Sequence, residues 1–180
     1  AMPCQEGQLD VSKIDTILGS ILVEGKDKND KLSHENFKTP DSNEAARICD
    51  SVTKILSVAK IHVTNRDRCE ISCHYGIENF ENYGAFIIDK VNREYCKKLI
   101  VMLPGQNHPE HYHIRKEETF ELIHGDCSIS VKGKAVDLKL GEPFLIARNM
   151  PHSFGTKDGC VIEEISTTHH RGDSIYTDPS

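Results

Sequence analysis

The chain has 180 residues, ten histidines, seven cysteines, no tryptophan and a formal net charge of −6. That length suits one well-buried core rather than two full domains. The acidic balance, the lack of a basic block and the scarcity of aromatics exclude a nucleic-acid partner, and no apolar run approaches the roughly 18 residues of a membrane span.

The opening AMPCQEGQ lacks the basic-then-apolar order of a secretory leader. Cys4, Cys49, Cys69, Cys73, Cys96, Cys127 and Cys160 are odd in number and scattered, which does not describe a disulfide framework. Cys69 and Cys73, in CEISC, have no second pair to complete a zinc site. Reduced thiols in a cytoplasmic protein are expected.

Residues 8–23 put Val11, Ile14, Ile17, Leu18, Ile21 and Leu22 at helical spacing, with Asp10 available as N-cap and Gly19 weakening the pattern. Residues 24–40 turn polar and read as an exposed connection. A second helix is expected from Ser42, with Ala45, Ile48, Cys49, Val52, Ile55, Leu56 and Ala59 on its apolar face. Residues 1–60 thus read as a helical or linker extension, and 61–180 as a separate β domain.

From residue 61 the chain breaks into short β-branched and aromatic runs between turn signals: residues 85–91, 97–103, 111–114, 119–125, 127–133, 134–140, 143–148 and 160–166. VKGKAV is a hairpin cue, weaker than Asn-Gly. Many short, evenly spaced strands predict a mainly β fold, an antiparallel barrel or jelly roll.

Within that pattern the stretch PGQNHPEHYHIRKEETFELIHG stands out. Residues i and i+2 share a strand face, so His111 and His113 can both enter the barrel. Glu118 can open the next strand facing the same interior, with Glu117 as its competitor. The preference is for Glu118, because it keeps Phe120 inward. His152, stiffened by Pro151, can supply a fourth ligand from a later strand. Two or three imidazoles and a carboxylate suit a first-row divalent ion, one per chain. His108 is placed in the turn before the first strand, at the cavity mouth. His34, His62, His74 and His124 read as surface or packing residues, and His169 and His170 as part of the tail.

The spacing of Gly105, His111, His113, Glu118 and Gly125 resembles the first motif of the cupin superfamily without a gap. Gly141 and His152 resemble its second motif, although the usual proline and glycine before the histidine are here Ala147 and Asn149. The resemblance covers roughly residues 97–166 and implies a double-stranded β-helix, or jelly-roll barrel, with a metal held by His111, His113, Glu118 and His152. Cys96, Lys98, Pro109, Lys116, Glu164 and Ser166 extend the likeness to D-lyxose isomerase-like cupins. The stretch through EEISTTHHRGDSIY also resembles the cupin domain appended to some sialic acid synthases.

These resemblances imply a sugar or sugar acid as partner, in surface-sugar metabolism, and a chain that can belong to a larger synthase polypeptide. The reaction implied is aldose–ketose isomerisation or epimerisation through a metal-stabilised enediolate. Glu164 would be the base, with Glu163 as the alternative, since only one of the two can face inward. Lys98 and Lys116 would stabilise the developing charge, unless they serve only to end a strand and fill a turn. Manganese or zinc suits that chemistry, nickel is compatible, and iron would suit the alternative of a dioxygenase. A non-catalytic sugar-binding or regulatory domain is the other alternative. A homodimer is expected, with the N-terminal segment able to cover a strand edge.

Overall fold

The computed structural model describes residues 22–24 and 42–178. The helix expected over 8–23 lies outside the described residues except at its end, where Leu22–Glu24 form a strand, β1, paired in parallel with the later strand Arg68–Ser72, β2. The polar connection beyond Glu24 also falls outside them.

Helix α1 (Ser42–Val58) follows the apolar periodicity, burying Ala45, Ile48, Cys49, Val52 and Leu56 along one stripe. Its end is closed by a Schellman arrangement. The Ile61 amide donates to the Leu56 carbonyl, the Lys60 amide donates to that of Ser57, and Lys60 takes the left-handed φ of 57° usually given to glycine. Beyond β2, a single 3₁₀ turn (Ile77–Asn79) and the short helix α2 (Phe80–Tyr83) bring Phe80 into the core.

The remaining strands are β3 (Ala85–Asn92), β4 (Tyr95–Met102), β5 (Asn107–His113), β6 (Glu118–Gly125), β7 (Ser128–Val131), β8 (Lys134–Asp137), β9 (Pro143–Ile146), β10 (His152–Gly155), β11 (Cys160–Thr167) and β12 (Ser174–Tyr176). They form a seven-stranded sheet, β1-β2-β3-β4-β11-β6-β9, and a five-stranded sheet, β12-β5-β10-β7-β8. Every pairing except β1–β2 is antiparallel. This is the mainly β, double-stranded β-helix architecture expected.

The larger sheet is buried on both faces where α1 covers it. One face gives Ala85, Ile100, Met102, Phe120, Leu122 and Ile162 to the barrel interior, where Ile129 and Phe154 of the smaller sheet meet them. The other gives Ile71, Phe86, Ile88, Leu99, Val101 and Val161 to α1. Double burial explains why KKLIVM in β4 reads as a near-continuous apolar run rather than an alternating one.

Besides β1, three strands fall outside the expected runs: β2 takes in CEIS of the CEISC segment, β12 is three residues long, and β10 is only His152–Gly155. Strand β5 begins earlier than expected, so His108 lies in a strand and is buried rather than sitting in a turn at the mouth. The shift follows from pairing: Asn107 and His108 are held by Gly155 and Phe154 of β10. The hairpin cue between β7 and β8 closes a two-residue turn with Lys132 at φ 51° and Gly133 at φ 75°, the positive pair a tight hairpin requires.

Gly125 ends β6 at φ 79°, and a Cβ there would overlap the Gly159 carbonyl oxygen. Gly125→Ala therefore meets backbone at Gly159 and Cys160, where β11 begins, rather than a movable side chain. We expect a loss of at least about 2 kcal/mol, measured as a fall in the denaturant midpoint at unchanged slope.

Candidate active site

At one end of the barrel the inward side chains change from apolar to polar along each strand. On β4 the inward series runs Met102, Ile100, Lys98, Cys96; on β11 it runs Cys160, Ile162, Glu164, Ser166; on β6 it runs Leu122, Phe120, Glu118. Register places Asp89, Lys98, Glu164 and Phe120 in one row across four strands, and Cys96, Ser166 and Glu118 in the next.

Facing these rows, β5 and β10 bring His111, His113 and His152 together, with ligand nitrogens all within 4.8 Å of one another. All three are buried. Glu118 lies against two of them: its Oε1 is 3.2 Å from His113 Nε2 and its Oε2 is 3.2 Å from His152 Nε2. The other ring nitrogens decide what those contacts are. Each Nδ1 faces a backbone carbonyl, that of Pro109 for His111 (3.0 Å), Asp173 for His113 (3.0 Å) and Met150 for His152 (2.9 Å). A carbonyl only accepts, so each Nδ1 carries a proton and each ring turns its Nε2 into the cavity, where its lone pair can bind a cation.

The Nε2 atoms of His113 and His152 and Oε2 of Glu118 accordingly have no hydrogen-bond partner among the described residues. Buried lone pairs facing one another are costly unless a cation sits between them. Nitrogen and oxygen donors about 3 Å apart suit ligands at about 2 Å from a shared divalent ion. The donor set therefore fits such an ion.

Lys116 lies in the connection between β5 and β6, yet it is buried. Its Nζ donates to Glu118 Oε1 at 2.6 Å and to Glu164 Oε1 at 3.0 Å. Burial works against the ammonium, but the two carboxylates outweigh it and hold Lys116 above the ordinary lysine range. Reciprocally, burial would raise the Glu118 carboxyl, and the Lys116 charge overcomes this and keeps it well below the ordinary range. Ser166 Oγ also donates to Glu164 Oε1, at 2.8 Å. Lys98 is buried beside Glu164 and reaches Asp89 Oδ1 at 3.4 Å. Burial opposes its charge too, but Glu164 and Asp89 raise it.

Six of the seven sequence candidates line one cavity, His111, His113, Glu118, Lys98, Lys116 and Glu164, and His152 is grouped with His111 and His113 against Glu118 beside it. Glu163 points outward to Lys97 at 2.6 Å, and Glu117 is half-exposed beside Arg148 at 4.0 Å. Asn149 takes the place of the second motif's glycine by adopting φ 58°, and its amide donates to the His113 carbonyl at 2.7 Å. Asparagine tolerates the left-handed region, so the turn survives the departure.

Sequence reasoning missed the contributions of the C-terminal segment. His169, Ser174 and Tyr176 line the cavity. Tyr176 stacks on His74 with ring centroids 3.7 Å apart, and Tyr75 Oη donates to Asp178. Short β12 gave no periodic signal, and only its pairing with β5 places these residues.

A jelly roll whose opposed strands converge three histidines and a glutamate inward is similar to a cupin centre. Residues 98–164 match the family described as the cupin domain. Among its relatives is the D-lyxose/D-mannose isomerase of Thermosediminibacter oceani, 28% identical over 162 residues, covering 73% of this chain and 90% of that protein. The D-lyxose ketol-isomerase of Thermofilum sp. is 28% identical over 157 residues, covering 71% of this chain and 87% of the relative. The fold is similar to that of Cellulomonas parahominis L-ribose isomerase with L-ribose. That match has a TM-score of 0.66 at 16% identity over 77% of this chain and 93% of the other. Among the described residues no helix is long and apolar enough to cross a membrane.

Buried His108 is pushed down to about 3, first by burial and then by His152, and burial likewise holds His111 well below its ordinary range. Both rings stay neutral in the fold but take up a proton on unfolding below about pH 6.5. Their contribution is therefore fully present above that pH and lost as pH falls toward 3. The melting temperature of metal-free protein should drop steadily from about pH 6.5 downward, and His108→Phe should flatten that slope.

Lys116→Met removes the ammonium that joins the two buried carboxylates, leaving Glu118 without its cation and Glu164 with Lys98 alone. The expected cost is about 3–5 kcal/mol at neutral pH, visible in denaturant unfolding and relieved by mild acid that protonates one of the pair.

Proposed function

We propose that this chain is a metal-dependent aldose–ketose isomerase acting on an open-chain sugar. His111, His113, Glu118 and His152 would hold one divalent ion and Glu164 would serve as the base. The observation that carries this reading is the buried Glu164 carboxylate, joined through one lysine to a carboxylate of the ligand set. The relatives named D-lyxose isomerases support it, because they match over most of their length.

The ion, when bound, supplies Lewis-acid polarisation of the sugar's carbonyl and neighbouring hydroxyl oxygens. Both hydrogen bonds to Glu164, from Lys116 and Ser166, fall on Oε1, so Oε2 is the oxygen left to receive a proton. It takes that proton from the carbon beside the carbonyl and returns it to the adjacent carbon, so aldose and ketose interchange with no redox change. Lys116 and Lys98 hold positive charge beside the enediolate oxygens formed between those transfers, in a site that excludes bulk water. Phe120 and Phe154 give the floor an apolar surface for the sugar's carbon-bound hydrogens.

Finer features belong to the same proposal. Manganese or zinc serves this chemistry, whereas iron would serve an oxygenase. The likeness to cupin domains appended to sialic acid synthases supports a place in surface-sugar metabolism. The acidic charge and the buried thiols of Cys49, Cys69, Cys96, Cys127 and Cys160 support a reducing, cytoplasmic setting. A homodimer is the proposed assembly.

Protein purified without chelator should contain about one divalent ion per chain and lose it in His111→Ala. Glu164→Gln should keep the ion and sugar binding while losing at least about 1,000-fold in anaerobic turnover, the upper part of the general-base range. Undiminished turnover in that variant would remove Glu164 as the base, and a strict oxygen requirement would turn the reading to a dioxygenase.

A further inference from the structure

The two ligands His113 and Glu118 are separated by residues 114–117, a connection lying outside both strands. Such a connection would not fix the spacing of two metal ligands by itself, nor hold a lysine buried. Its amides are claimed from far along the chain. Asp173 Oδ1 and Oδ2 accept the Arg115 amide at 3.1 and 3.2 Å, and Oδ2 also accepts the Lys116 amide at 3.0 Å. The carbonyl of the same residue accepts the His113 Nδ1 proton at 3.0 Å. Asp173 is itself buried, and is set by a turn in which Gly172 takes φ 77° and the Asp173 amide donates to the His170 carbonyl at 3.1 Å.

We infer that Asp173 is a positioning residue: its carboxylate clamps the 114–117 connection and thereby sets the relative placement of His113, Lys116 and Glu118 for the ion and for Glu164. This rests on the proposed reading of the three histidines and Glu118 as a metal centre. The carboxylate and the carbonyl act separately. Any substitution keeps the main-chain carbonyl at His113, so side-chain changes report the carboxylate, whose Oδ2 also lies 4.0 Å from His113 Nδ1. A carboxylate presents only acceptors to the converging amides, whereas an asparagine side chain must turn its NH₂ toward one of them. Charge-assisted bonds from a carboxylate to backbone amides are also the stronger kind.

The experiment compares Asp173→Asn and Asp173→Ala with the unmodified protein by competitive manganese and zinc titration and by kinetics on a sugar that turns over. Thr177→Val is the control: Thr177 lies on the same C-terminal segment as Asp173, and its hydroxyl bonds Glu110 of β5 rather than the 114–117 connection. Both Asp173 variants should bind the ion about 10- to 100-fold more weakly and lose kcat more than they raise KM. Thr177→Val should leave affinity within about threefold, as expected for a site outside the clamp. Equal affinity in the Asp173 variants overturns the inference, and so does an equal loss in Thr177→Val, which would assign the effect to docking of the whole segment. Unmodified protein that takes up no ion overturns the metal reading and this inference with it. If neither Asp173 variant folds, amide exchange in the unmodified protein decides. Arg115 and Lys116 amides should be protected although they lie in a loop, and exchange at the rate of exposed Glu94 would overturn the clamp.

Discussion

The Lys116 ammonium makes it possible to bury Glu118 and Glu164 together. Two carboxylates converging on one small site would otherwise repel, and each would favour taking up a proton. With the lysine between them, Glu118 is held ionised beside the histidines and Glu164 lies beside Lys98. The series Glu118, Lys116, Glu164, Lys98, Asp89 alternates in sign across β6, the β5–β6 connection, β11, β4 and β3. Buried ionic groups of this kind contribute little net stability compared with apolar packing. Their retention in this barrel is better understood as a requirement of the chemistry than of the fold.

The fold accommodates that cost by dividing each central strand along its length. Leu122 and Phe120, Ile162, and Met102 and Ile100 close one half of the barrel with apolar side chains. Glu118, Glu164 with Ser166, and Lys98 occupy the other half on the same inward face. Behind the sheet, α1 buries the opposite faces of β2, β3, β4 and β11, so these strands are held from both sides. In the proposed isomerase such rigid placement would matter, because a proton transfer depends on sub-ångström positioning of the base.

How much of this was legible in the sequence depends on how far each signal reaches along the chain. His-x-His followed by Glu118 and Gly125 is a local pattern, and a period of two assigns its faces without further information. The same period restricts Glu163 and Glu164 to opposite faces but does not say which is inward; burial and the Lys97 contact decide that. Lys116 reads from sequence as a turn residue in solvent as easily as a buried cation. Only the approach of β11, about 48 residues later by the separation of the bonded pair, makes the second alternative true.

The C-terminal segment shows the limit most clearly. TTHHRGDSIYTD has no usable periodicity, yet it supplies His169 and Tyr176 to the cavity and Asp173 to the ligand-bearing connection. By itself the sequence determined the strand-rich class, the helical period of α1 and the inward histidines, because each rests on a pattern within a few residues. Carbonyls two residues back, of Pro109 and Met150, orient His111 and His152, but the tertiary structure alone decided the orientation of His113, which carboxylate lies opposite the ligands, and what holds the loop between them. Those depend on hydrogen bonds whose partners lie tens of residues apart, and no local pattern encodes them.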